Sequence, residues 1–92
     1  MVTVIKRYED ADVMAFDYFI EAHHDVYEDT GHIVMKSSGG MATWRAVNDG
    51  DETYLKTALT ALFERRDENG GVYPEQVGAA LSLIHISEPT RP

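Results

Sequence analysis

The chain has 92 residues, no cysteine, and 16 Asp and Glu residues against 8 Lys and Arg residues. This length fits one small domain, because so short a chain buries only about 60 to 65% of its unfolded surface. The lack of cysteine excludes disulfide frameworks, thiolate zinc sites and cysteine nucleophiles. The formal net charge of -8 opposes direct contact with nucleic-acid phosphates and favours a basic partner.

The N-terminal part is expected to begin with a strand and to continue as a long helix. Residues 2–8 are rich in β-branched and aromatic residues, which favours a strand. Asp10 or Asp12 then provides an N-cap for a helix that runs to about residue 28 and ends at Thr30-Gly31. Steps of three and four separate the apolar residues of its predicted core face: Val13, Phe16, Ile20, His23 and Tyr27, with Phe19 and Val26 beside them.

The second part of the chain predicts a hairpin and a second helix. Residues 32–38 and 41–47 are expected to be strands joined at Gly39-Gly40, because both central positions of a two-residue hairpin turn favour positive φ. Asp49 and Glu52 have the spacing of a capping box, and a helix over about 51–66 comes next. Its predicted core face consists of Leu55, Ala58, Leu59, Leu62 and Phe63.

The C-terminal part predicts one more short element and a foreign tail. Pro74 favours the start of a short helix that carries Val77, Ala80 and Leu81, although Gly78 weakens it; a truncated final strand is the alternative. Residues 82–92 break the compositional flow and resemble the translated adapter or vector sequence that ends many chains from environmental assemblies. We therefore expect one native domain over residues 1–81, with an ordinary flexible C-terminus as the alternative for the tail.

The order of these elements predicts an α+β fold. Two helices packed on one face of a mostly antiparallel three-stranded sheet would bury both apolar stripes. The expected architecture is therefore a two-layer sandwich with the order β-α-β-β-α, followed by the short last element.

Acidic residues are concentrated in the first third of the chain. Residues 1–30 hold eight acids against Lys6 and Arg7, whereas residues 31–48 hold none. On the predicted helix, four acids spaced by three or four residues would form one stripe, with an exposed methionine and tyrosine beside it. Such a stripe could bind a basic surface, or it could be a solvated face that serves only solubility. The predicted partner-binding residues are Asp17, Glu21, Asp25, Glu28, Met14 and Tyr18.

The histidines and the single tryptophan offer weaker alternatives. His24 with Glu21 or Glu28 could hold a metal ion if His32 supplied a third ligand, but a buried His23 and a surface His24 explain the sequence more simply. Trp44 beside Arg45 could stack on a nucleic-acid base, but a core position for Trp44 is favoured.

The sequence contains no zinc-protease, phosphate-loop, dinucleotide-binding or serine-hydrolase motif. We therefore predict a non-catalytic, cytoplasmic interaction protein with no cofactor and no bound metal. It would occlude a basic, nucleic-acid-binding surface of a host protein, as a phage or mobile-element inhibitor would, without touching nucleic acid or membrane itself. The alternatives are a self-associating structural or regulatory module, for which a homodimer is possible, and a small metal-dependent enzyme.

Overall fold

The computed structural model describes residues 1–21 and 23–79, which form one antiparallel sheet and one α-helix. In chain order the elements are β1 Val2–Glu9, β2 Val13–Ile20, a 3₁₀ helix Tyr27–Asp29, β3 Thr30–Lys36, β4 Met41–Trp44, α1 Thr53–Glu68 and β5 Gln76–Ala79. The strand order is β4-β3-β2-β1-β5, and all neighbours are antiparallel. The first four strands are a meander, and α1 returns the chain across the sheet so that β5 lies beside β1.

The core lies between α1 and one face of the sheet. Successive strand residues point to opposite faces, so alternate residues of the strands lie on the helix side of the sheet. Full burial of a large apolar side chain contributes roughly 1.5–3 kcal/mol, which makes this layer the main source of stability. The buried apolar residues of this cluster are Val2, Val4, Phe16, Tyr18, Ile20, Ile33, Ala46, Leu55, Ala58, Ala61, Leu62 and Val77.

The opposite face of the sheet carries no helix within the described residues. Its central row runs across four strands, in which Ile5, Asp17, His32 and Trp44 are register neighbours. Phe19 also lies on this face, yet it is only 3% exposed. The ring of His24 covers it with a centroid distance of 4.4 Å, and the Arg7 guanidinium lies 5.7 Å from its centroid.

The long helix predicted from Asp10 or Asp12 to residue 28 is wrong. This segment contains β2, which pairs with β1 on one side and β3 on the other. The expected core residues His23 and Tyr27 are exposed, because they lie in the connection after β2. Asp10 does accept hydrogen bonds from backbone N–H groups further along the chain, those of Asp12 and Val13, both at 2.8 Å. These bonds close a turn between two strands instead of starting a helix.

The α+β class, the first strand, the pairing of the two hairpin strands and the second helix are confirmed, whereas the element count and the hairpin turn are corrected. The turn is not the predicted two-residue turn at Gly39-Gly40. The Lys36 N–H donates to the Gly40 carbonyl oxygen, so residues 37–39 form the turn, and of the two glycines only Gly39 has a positive φ. The sheet has five strands instead of three, and the described residues contain one α-helix instead of two. The short helix predicted after Pro74 is wrong, since β5 pairs with β1 there as the alternative final strand. Ala80, Leu81 and the predicted tail lie outside the described residues.

Candidate interaction surface

Two connections meet at one end of the sheet. In an antiparallel meander alternate connections share an end, so the connection after β2 and the one after β4 become neighbours. The Asn48 N–H donates to the Glu28 carbonyl oxygen at 2.8 Å, and Asn48 Nδ2 donates to Asp29 Oδ1 at 2.6 Å. The Tyr54 hydroxyl donates to Glu21 Oε2 at 2.8 Å. The first two bonds join residues 23–29 to residues 45–52, and the third joins Glu21 to the first turn of α1 directly after them. We call the surface formed by residues 21, 23–29 and 45–52 the acidic end.

The acidic end exposes five carboxylates, those of Glu21, Asp25, Glu28, Asp51 and Glu52. Its single Lys or Arg side chain is Arg45, whose guanidinium donates to the carbonyl oxygens of Ala46, Val47 and Asp49. The N-terminal amine also contacts this surface, at 2.9 Å from Glu21 Oε2. This amine, as the larger cause, and the Tyr54 hydroxyl lower the pKa of Glu21. The Glu21 carboxylate therefore stays ionised at neutral pH.

Apolar side chains are exposed among these carboxylates. Tyr27 is 77% exposed, Val47 is 61% exposed and Val26 is 39% exposed. Aromatic side chains surrounded by polar groups are typical of the anchors of protein interfaces. The acidic end thus offers both charge and apolar contact area.

Two further carboxylates are buried and hold the connections in shape. Asp29 accepts hydrogen bonds from Asn48 and His23, and these bonds lower the pKa of Asp29, with Asn48 the larger cause. Asp49 accepts the backbone N–H groups of Tyr54 at 3.1 Å and Leu55 at 2.9 Å. It therefore caps the first turn of α1.

The capping box predicted for Asp49 and Glu52 forms only in part. Glu52 occupies the N-cap position itself, with a left-handed φ of 59°, and its side chain makes no capping hydrogen bond. Asp49 reaches the helix from three residues further back. The bend at Glu52 turns the chain so that Asp49 lies under the first turn and the Glu52 carboxylate faces solvent.

Tyr18 connects this end to the core. Its hydroxyl donates to Asp49 Oδ2 at 2.8 Å and accepts the Ala46 N–H at 2.8 Å. Burial raises the pKa of Tyr18, and the negative charge of Asp49 adds to the shift. The side chain is fully buried, so Tyr18 supports the acidic end from beneath and does not lie on a contact surface.

The predicted partner-binding residues separate into three groups in the structure. Glu21, Asp25 and Glu28 lie on the acidic end, although as parts of a loop and not of a helical stripe. Asp17 lies on the helix-free face, where it accepts hydrogen bonds from Arg7 at 3.1 Å and from His32 at 2.8 Å. Met14 and Tyr18 point to the helix side of the sheet.

Met14 lines a shallow cleft of 340 Å³ at the opposite end of the sheet. Met35 and Tyr73 line it as well, together with the acidic turn between β1 and β2. Met14 is half-buried there, so it is not the exposed anchor that the helical wheel predicted.

Among the described residues, His23, His24 and His32 do not converge on one point. In residues 1–21 and 23–79, no group of three or more His, Asp and Glu side chains is placed to hold a metal ion. His24 stacks on Phe19, while His32 is bonded to Asp17 in the middle of the sheet. Trp44 is 54% exposed, which corrects the expected core position of the indole.

Sequence reasoning missed Asp51 and Glu52 as members of the acidic end, together with its exposed apolar residues. The signal was present in the turn cluster at residues 48–51, which comes directly after the second hairpin strand. Recognising β2 as a strand would have placed both connections at the same end.

Comparison with protein-family models, with curated proteins and with solved structures finds no match to this chain. In the part of the chain that the structure describes, α1 does not meet the length and hydropathy that a membrane-crossing helix needs.

Proposed function

We propose that this protein is a small, non-catalytic interaction protein whose acidic end binds a basic surface of another macromolecule. The observation that carries the proposal is the junction of two connections that present five exposed carboxylates together with the exposed Tyr27. A partner that normally binds nucleic acid has the required positive surface. Occlusion of such a surface is the expected mode of action, as for an inhibitor that a phage or mobile element directs against its host.

Rigidity supports this proposal over a purely solubilising role. A carboxylate row that serves only solubility needs no fixed geometry, whereas buried Asp29 and Asp49 fix both connections here. Fixed charges lose less conformational entropy on binding than charges on mobile loops. The exposed Tyr27 adds apolar contact that a solubilising surface does not need.

The test compares two double variants with the same total charge. Asp25→Lys with Glu28→Lys reverses two carboxylates of the acidic end, and Asp12→Lys with Glu64→Lys reverses two remote ones. All four side chains are exposed and make no hydrogen bond or ion pair within the described part of the chain. Both variants change the net charge from -8 by four units, so a difference between them reports on position and not on total charge.

Each protein is immobilised and exposed to a bacterial lysate, captured proteins are eluted with a salt gradient, and mass spectrometry identifies them. We expect wild type and the remote variant to capture the same basic protein, released by salt because its charges are screened. The acidic-end variant should bind that purified protein at least about tenfold more weakly, a loss of about 1.4 kcal/mol. Wild type should also displace nucleic acid from it. Equal binding by both double variants would show that the acidic end is not the contact surface.

A further inference from the structure

In the described part of the chain, the outer edge of β4 is an unprotected sheet edge. Within residues 1–21 and 23–79 no strand lies beyond β4, which is the last strand of the sheet. Proteins usually protect such edges with charged side chains, proline or a bulge, because unpaired backbone groups invite another strand. The four residues of β4, Met41 to Trp44, include none of these, and both end residues are about half exposed.

The register shows which backbone groups are unpaired. Lys36 N–H donates to the Gly40 carbonyl oxygen at 2.8 Å, so Lys36 and Gly40 form a hydrogen-bonded pair. Hydrogen-bonded and non-hydrogen-bonded pairs alternate in an antiparallel ladder. Ala42 and Trp44, opposite Val34 and His32, therefore bond to β3. The N–H and C=O groups of Met41 and Thr43 point outward, away from β3.

We propose that two copies of this chain pair through β4 in antiparallel orientation about a two-fold axis at Ala42. In this register Met41 of each copy lies opposite Thr43 of the other. Their outward N–H and C=O groups form four hydrogen bonds, which join the two sheets into one of ten strands. The axis is perpendicular to the sheet, so both copies of α1 remain on the same side.

The side chains on the helix-free face favour this register. Trp44 of each copy lies opposite Gly40 of the other, a position without a side chain. Gly40 does not adopt a left-handed φ, so its own backbone does not require glycine. A Cβ there would meet only the Lys36 Cδ, at 3.7 Å, so Lys36 lies beside the space that the indole would fill. The indole would pack on the glycine and receive a cation–π contact from Lys36.

The charge distribution favours a second copy and an antiparallel orientation. Residues 31–48 contain Lys36 and Arg45 but no acid, so two hairpins can meet although each molecule carries a charge of -8. Antiparallel pairing places the end of β3 that carries Lys36 in one copy toward the acidic end of the other. Parallel pairing would instead place the two acidic ends side by side, where like charges repel. The proposal does not depend on the function proposed above for the acidic end.

The test is sedimentation velocity of the full chain over a concentration series, combined with tryptophan fluorescence. We expect the mass to rise from 10.3 kDa toward twice that value. Trp44 is the single tryptophan, so its emission reports directly on this edge and should shift to shorter wavelength as the dimer forms. A mass of 10.3 kDa at every concentration overturns the proposal, and so does a dimer whose Trp44 emission stays unchanged.

Two variants test the register, and a third, Thr43→Val, is the control for one of them. Thr43→Pro removes an outward N–H and should raise the dimer dissociation constant at least about tenfold, while Thr43→Val keeps that N–H and should leave it within about twofold. Gly40→Val fits its own hairpin but fills the space for the indole, and it should also weaken the dimer at least about tenfold. Circular dichroism checks folding, and Gly40→Val decides the matter if Thr43→Pro does not fold. If Thr43→Pro and Gly40→Val both fold and both dimerise as tightly as the wild type, the two copies associate through a surface other than β4.

Discussion

At the scale of single residues, Gly31 and Tyr18 are coupled by a close approach. The Tyr18 ring lies over Gly31 in the neighbouring strand, and a Cβ on Gly31 would be 2.1 Å from Tyr18 Cε2. The ring cannot move away without breaking its hydroxyl bonds to Asp49 and Ala46. Gly31 is therefore needed for the space it leaves, and not for an unusual φ.

We predict that Gly31→Ala lowers the free energy of unfolding by about 2 kcal/mol or more, because the added methyl group overpacks a rigid core. Urea denaturation monitored by circular dichroism measures this loss. Gly50→Ala is the matched control, since a Cβ there meets no atom within 4 Å. Similar losses in both variants would mean that the Tyr18 ring relaxes easily and that the close approach is unimportant.

Asp10 shows why a capping signal at one residue can be correct although the element predicted from it is wrong. Its carboxylate accepts N–H groups two and three residues ahead, as the N-cap signal requires. The same bonds also stabilise a tight turn between strands, so the signal does not determine whether the next element is a helix or a strand. In this chain the next segment pairs with β1.

At the scale of elements, the start of α1 depends on a residue outside the helix. Asp49 binds two N–H groups of the first turn and also accepts the Tyr18 hydroxyl, while Glu52 at the N-cap contributes no side-chain bond. One carboxylate therefore fixes the helix against β2. The orientation of α1 on the sheet results from this contact as well as from its apolar face.

We predict that Asp49→Ala lowers the free energy of unfolding by about 2–3 kcal/mol, because it removes a helix cap and leaves the buried Tyr18 hydroxyl without its acceptor. Asp51→Ala, an exposed neighbour of equal charge, should change it by less than about 0.5 kcal/mol. Thermal and urea unfolding of both variants measure the difference. A small loss in Asp49→Ala would indicate that water or another backbone group replaces the carboxylate.

The wrong helix prediction for β2 has a physical cause in its burial on both faces. Phe16, Tyr18 and Ile20 alternate toward α1, which is the pattern of a strand. Phe19 is buried on the other face, so Tyr18, Phe19 and Ile20 form a run of three consecutive buried residues. This run hides the alternation of a strand, and the apolar residues of the segment instead show the spacing of three and four that is typical of a helix. The aromatic and β-branched composition was the signal for a strand. The second helix and the two hairpin strands were predictable because the local signals in each of these segments favoured only one type of element.

At the scale of the whole molecule, the acidic end was only partly predictable. The excess of acids in the first third of the chain correctly indicated Glu21, Asp25 and Glu28 as an acidic group. It did not indicate that they lie in a connection between strands and not on a helix. Asp51 and Glu52 join them only because the meander brings the two connections to the same end of the sheet. That proximity depends on strand pairing across the sheet, which a periodicity within one segment does not specify.

The segregation of charge has a consequence for stability. Five exposed carboxylates on two bonded connections repel each other, and each close like-charge pair costs a few tenths of a kcal/mol. Unfolding separates the connections and relieves this repulsion. Added salt screens it in the folded state, so the folded protein gains more from salt than the unfolded chain does.

We predict that the free energy of unfolding in urea rises by about 1 kcal/mol as NaCl increases from roughly 10 mM to roughly 150 mM, since the screening length falls from about 30 Å to about 8 Å. Asp25→Lys with Glu28→Lys should remove most of this rise, because it replaces repulsion at the acidic end by attraction. Asp12→Lys with Glu64→Lys has the same net charge and should keep most of it. If the rise of the free energy of unfolding with salt is reduced equally in both variants, repulsion is spread over the whole surface. The two connections then do not form a distinct electrostatic unit.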